Sequence, residues 1–118
     1  LRIIGEILQS YTEVVANQAA FDDPAKRHAM GQLMTLLNGT LDARGRVLVK
    51  MNVATDQLAA VLALLPSMKA PTVNELAGDG GYAVETVVSK TQINTLIPEL
   101  KDAGATGILE LPISKIIP

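Results

Sequence analysis

An α+β fold of the ferredoxin-like kind, with a four-stranded antiparallel sheet and both helices on one face, is predicted for residues 46–118 by three observations. Two helical apolar periods alternate with strand-like runs in the order β-α-β-β-α-β. The two central strand runs are joined by a glycine-rich break, Gly78-Asp79-Gly80-Gly81. A short β-branched segment and a connecting helix stand ahead of this domain, so the expected divisions are 1–22, 23–45 and 46–118.

Taken in order, residues 1–17, LRIIGEILQSYTEVVAN, are apolar and β-branched with a break at Gln9-Ser10, which reads as two short strands. The sequence opens inside that segment at Leu1, without an initiator Met, as expected of a piece of a longer protein. Asp23-Pro24 is a helix start, because Asp caps free N–H groups and Pro suits the first helical position. Met30, Leu33, Met34, Leu37 and Leu41 then recur at three- and four-residue spacings up to a stop at Gly45. Gly31 and Gly39 inside this helix each cost about 1 kcal/mol relative to Ala, so packing has to hold it.

Residues 47–53 read as a strand, and Thr55 as the cap of a helix whose buried face is Leu58, Val61, Leu62 and Leu65. For residues 72–88 two readings compete. A phosphate-binding glycine loop follows a strand and opens a helix, aiming backbone N–H groups at the anion. Here the glycines open onto Tyr82-Ala83-Val84-Glu85-Thr86-Val87-Val88, which is β-branched and without helical period, so the segment is a hairpin. Ser89-Lys90-Thr91-Gln92 has the form of a capping box, and Ile93, Leu96, Ile97 and Leu100 supply the apolar face of a helix that ends at Gly104. Pro98 inside it predicts a bend near residues 94–98, or a helix broken in two. Residues 107–113 are the last strand.

Composition narrows the function. The 118 residues, 48% of them hydrophobic, suffice for one packed domain. No apolar run reaches the roughly 18 residues of a membrane helix, and no signal-peptide pattern opens the sequence; a cytoplasmic protein without membrane contact is expected. The absence of Cys excludes disulfides, thiolate chemistry and cysteine-ligated zinc. Ten basic against twelve acidic residues, with Phe21, Tyr11 and Tyr82 as the aromatic set, predict no nucleic-acid partner.

Catalytic groups are scarce. His28, the sole histidine, lies between Arg27 and Ala29 near a helix start and reads as a solvated side chain. Asp22 and Asp23 are accounted for by the cap and the helix dipole. Glu75, Asp79, Glu85 and Glu110 fall on or beside strands with nothing in their spacing to make a dyad. Met30, Met34 and Met51 sit at packing positions, whereas Met68 precedes the hairpin in a loop. No catalytic residue and no metal ligand is expected here.

Three phrases carry a resemblance: ARGRVLVKMNV, LLPSMKAPTVNELAGDGGYAVETVV and LKDAGATGILELPISKII. In this order they resemble the C-terminal part of the long form of the ATP phosphoribosyltransferase family, whose members open histidine biosynthesis. The resemblance implies that residues 1–22 end the catalytic region, 23–45 are the connecting helix and 46–118 the regulatory domain. It implies a glycosyltransferase parent that moves a phosphoribosyl group from phosphoribosyl pyrophosphate to N1 of ATP with Mg²⁺, in an N-terminal catalytic region. This chain would be inactive alone, holding no cofactor, and would bind L-histidine as a feedback effector within a homo-oligomer, a hexamer in the parent. Residue by residue, the effector site implied is Asn52, Met68, Thr72 and Gly107, between neighbouring subunits, with the loop around 68–72 close to the start of the last strand. Some family members carry Asp where this chain has Asn52. A module of the same fold devoted only to assembly is the alternative.

Overall fold

The computed structural model describes residues 1–66, 70–78 and 80–118. They fall into two units, Leu1–Met34 and Thr35–Pro118.

In the first unit, residues 1–17 have no regular secondary structure, so the two short strands expected there do not form. The physical reason is pairing: the segment's apolar side chains, among them Ile3, Ile4, Ile7 and Leu8, stay exposed, and a β-branched run without a ladder partner gains nothing from extension. Helix α1, Gln18–Asp22, follows, with Asn17 accepting from the Ala19 N–H at 2.9 Å. Asp23 then caps the next helix as the sequence predicts, its Oδ1 accepting from Ala25 N–H at 2.9 Å and Lys26 N–H at 3.1 Å. Arg27 lies over the Phe21 ring, 4.6 Å from its centroid, and donates from Nε to the Phe21 carbonyl at 2.7 Å. His28 is exposed, in line with its solvated reading.

Helix α2, Pro24–Ala43, spans the division between the units. The residues it buries are Gly39 and Ala43, not the leucines of the predicted stripe: Leu33, Leu37 and Leu41 remain 53%, 42% and 55% exposed. Full burial in this helix is thus confined to its last turns, with Met30 and Met34 of the stripe half-buried.

The second unit contains the sheet. Strands β1 (Arg46–Val53), β2 (Thr72–Glu75), β3 (Tyr82–Ser89) and β4 (Thr106–Pro112) stand in the order β2-β3-β1-β4, each neighbour antiparallel. With helix α3 (Leu58–Leu64) and helix α4 (Lys90–Asp102) this is the ferredoxin-like β-α-β-β-α-β arrangement. Alternation along β1 buries Val47, Val49, Met51 and Val53 against Val61 and Leu65 beside α3 and Ile93, Leu96 and Leu100 of α4. At roughly 1.5–3 kcal/mol for each large apolar side chain removed from water, this cluster is the main source of stability.

Two local expectations need adjustment. Thr55 is not a helix cap: it opens a 3₁₀ turn, Thr55–Gln57, entered from Ala54 without a side-chain cap, and only then does α3 begin. The chain leaving β1 reverses through the Gln57 N–H to Ala54 carbonyl bond, which leaves the Thr55 hydroxyl no helix start to serve. Ser89 does cap α4, accepting from the Thr91 N–H at 3.3 Å. Pro98 does not break α4 in two; the helix runs unbroken from Lys90 to Asp102. Pro98 and Asn94 are both on the exposed face, where water serves the carbonyl that the ring deprives of a donor. The end of α4 is a Schellman turn: Gly104 at φ 98° donates to the Lys101 carbonyl and Ala105 to Leu100.

The hairpin reading of residues 72–88 holds. β2 pairs with β3 from Thr72↔Glu85 to Glu75↔Tyr82, and Leu76 N–H donates to the Gly81 carbonyl at 2.8 Å. Gly78 and Gly81 take φ angles of 71° and 83°; Asp79 lies outside the described residues. The glycines open no helix.

Candidate functional site

Register decides which residues meet on the side of the sheet away from α3 and α4. The even-numbered residues of β1, Arg46, Leu48, Lys50 and Asn52, lie opposite in pleat to the buried odd ones. Cross-strand pairing sets Thr72, Glu85, Lys50 and Leu109 in one row and Asn74, Ala83, Asn52 and Thr106 in the next. Lys50 Nζ and Glu85 Oε1 make an ion pair at 2.9 Å.

Asn52 and Gly107 come together at a β-bulge. From Lys50↔Leu109 to Asn52↔Thr106, β1 advances two residues and β4 three, so Met51 faces both Gly107 and Ile108. Gly107 takes up the extra residue with φ 57°, and a Cβ built on it would lie 3.6 Å from Asn52 Nδ2. Thr106 Oγ1 donates to the Asn52 carbonyl at 3.3 Å, tying the two strands at the same point.

Thr72 does not join them within one chain. It lies on β2, the opposite edge of the sheet, three strand spacings or about 14 Å from the β4 edge. Thr72 and the start of the last strand are therefore not neighbours inside a single copy. Met68, the fourth expected contact, lies outside the described residues.

Thr72 instead lines a groove of about 600 Å³. Its floor is Arg46 and Leu48 of β1 with Glu85 and Val87 of β3, and its far wall is the segment 116–118 that follows β4. Asp42, at the end of α2, closes one side. The groove thus offers the Arg46 guanidinium, the Asp42 carboxylate, the Glu85 carboxylate already paired with Lys50, the Thr72 hydroxyl and an apolar surface. None of its lining groups is an imidazole or a thiol, and among the described residues no three His, Cys, Asp or Glu side chains converge as metal ligands. Such a set is complementary to a small zwitterion in charge and hydrogen bonding.

Of the groove residues the sequence points to Thr72 alone. Arg46 and Leu48 are readable as the outward half of an alternating strand, but their meeting with Asp42 and residues 116–118 depends on a chain return of some seventy residues that no local pattern encodes.

Comparison with known proteins gives a consistent answer. The profile of the family described as "HisG, C-terminal domain" matches residues 43–115. A protein of Pelotomaculum thermopropionicum named ATP phosphoribosyltransferase is 47% identical over 118 residues, covering all of this chain and 41% of its own length. Proteins of the same name from Desulforudis audaxviator and Solibacter usitatus are 48% and 41% identical, over 100% and 99% of this chain. The chain spans about two fifths of the length of these relatives.

Proposed function

The chain belongs to the HisG C-terminal domain family, and on that premise we propose that it is the effector-sensing part of an ATP phosphoribosyltransferase that binds L-histidine and exerts feedback inhibition. The parent enzyme would work in the cytoplasm in the first step of histidine biosynthesis. Its N-terminal catalytic region would join ATP to the phosphoribosyl group with Mg²⁺. The residues described here offer no carboxylate cluster for that metal, and no step runs through it.

The observation that carries the sensor reading is the two-signed groove beneath Thr72. Arg46 matches an amino acid's carboxylate, for which a guanidinium supplies paired N–H donors. Asp42 matches its ammonium, the Thr72 hydroxyl can exchange a hydrogen bond with an imidazole nitrogen, and Leu48 and Val87 carry the ring. Gly107 is on the β4 edge and Asn52 on β1 beside it, so in this reading they reach the ligand from a second copy whose β4 edge meets this β2 edge. A head-to-tail contact of that kind makes a ring when its rotation closes, which is the arrangement a hexameric parent would need. Met68 would add an apolar contact from the loop ahead of β2.

Inhibition then follows from population shift. Histidine bridging two copies favours the assembled state in which the catalytic regions are held shut, and a coupling of about 1–3 kcal/mol changes linked affinities some 5- to 150-fold. A second reading, a module for assembly alone, is favoured by the exposed leucines of α2 and by the outer strands β2 and β4, which among the described residues have one strand neighbour each and need no small molecule to pair. Sedimentation velocity separates the two. For a sensor, millimolar L-histidine shifts the chain to a larger species while D-histidine does not; a distribution unmoved by L-histidine favours the assembly module.

A further inference from the structure

Gly39 is a helix-interior glycine whose presence propensity does not explain. It stands four residues before the end of α2 and is buried. The Ile116 N–H donates to its carbonyl at 2.9 Å. A Cβ at residue 39 would lie 3.1 Å from the Ile116 carbonyl oxygen and overlap Ile117 Cδ1. At Gly31, in the same helix, a Cβ would meet nothing within 4 Å. The missing side chain at Gly39 is therefore what lets the segment after β4 cross the helix backbone closely. That segment supplies Ile116, Ile117 and Pro118 to the groove above Leu48 and Val87.

We propose that residues 115–118 are a strap, pinned at Gly39, that walls the groove and controls entry to it. The identity of the occupant rests on the effector reading above; the strap does not. Two features support gating over simple packing. The anchor is one backbone hydrogen bond with the Ile117 side chain laid on Gly39; Ile116 is half-buried, Ile117 is 52% exposed and neither belongs to the core cluster, so release costs little elsewhere in the fold. The groove also keeps its volume with the strap in place, so the strap bounds the space without filling it.

The absence of cysteine from the protein permits a direct test. Val87→Cys, and separately Leu48→Cys, place one thiol on the groove floor, and its alkylation by iodoacetamide reports access. Gly39→Ala crowds the strap at the Ile117 side chain and the Ile116 carbonyl while favouring the helix, and Ile116→Pro removes the anchoring donor without touching α2. The strap predicts alkylation about tenfold faster in either release variant, the size expected when a local closed state is lost. Thermal midpoints for Gly39→Ala should be no lower than that of the parent thiol variant. Equal alkylation rates with and without the release substitutions would overturn the strap. Slowing of alkylation by L-histidine supports the effector reading; faster alkylation on release with no slowing by histidine keeps the strap and refutes that occupant.

Discussion

Replacing Gly81 by Ala tests how the hairpin is locked onto the end of β1. Gly81 adopts φ 83°, where an L side chain is disfavoured by about 1–2 kcal/mol. The added Cβ would also overlap the Val53 carbonyl oxygen and lie 3.0 Å from Ala54 Cα and 3.1 Å from the Val53 carbonyl carbon. These are backbone atoms of a strand end whose Val53 side chain is 1% exposed, so nothing flexible can yield. Forcing a methyl group into such a place costs typically a further 1–3 kcal/mol. The sum, about 2–5 kcal/mol, is a large part of the roughly 5–15 kcal/mol that holds a domain folded. Gly78→Ala is the internal control: it has φ 71° but no atom within 4 Å of its Cβ, so it carries the conformational term alone, about 1–2 kcal/mol. Urea unfolding of both variants measures the difference, expected at about 1–3 kcal/mol. Gly81→Ala and Gly78→Ala agreeing within about 0.5 kcal/mol would refute the claim that this turn presses against β1.

Three further outcomes follow from the same coordinates. Leu100, fully buried between α4 and the sheet, should cost about 2.7–5 kcal/mol when replaced by Ala, read as a lower urea midpoint with unchanged slope. Pro98→Ala should stabilise by about 1–3 kcal/mol, since α4 already runs through the position and regains a backbone donor; an unchanged thermal midpoint would contradict that account. Asn52→Asp should tighten L-histidine binding by roughly threefold to tenfold, because a carboxylate there adds a charge-assisted partner for the ammonium, whereas weaker binding would remove Asn52 from the site.

The fold was legible wherever its cause is local. Periods of two and of three to four residues mark β1, α3 and α4, and the Asp23 and Ser89 caps and the Gly104 stop are written in side chains next to the backbone they satisfy. Residues 1–17 show the limit of such reading: β-branched composition favours extension, but a strand exists only in a pair. The α2 stripe is a second case, since amphipathic spacing records a burial tendency and Leu33, Leu37 and Leu41 stay exposed all the same. Gly107 enters the expected set only through the family resemblance, and the bulge that turns it toward Asn52 is a register shift between strands more than fifty residues apart. The groove was not legible at all, because Arg46, Glu85 and Ile116 become neighbours only through the return of the chain after β4.

Calorimetric titration of the chain with L-histidine tests the sensor reading most directly. Saturable heat is predicted, weakened about tenfold or more by Arg46→Met, which removes the carboxylate's counter-charge and keeps the stem's packing. No heat at millimolar histidine, or equal affinity in the Arg46→Met variant, would contradict it.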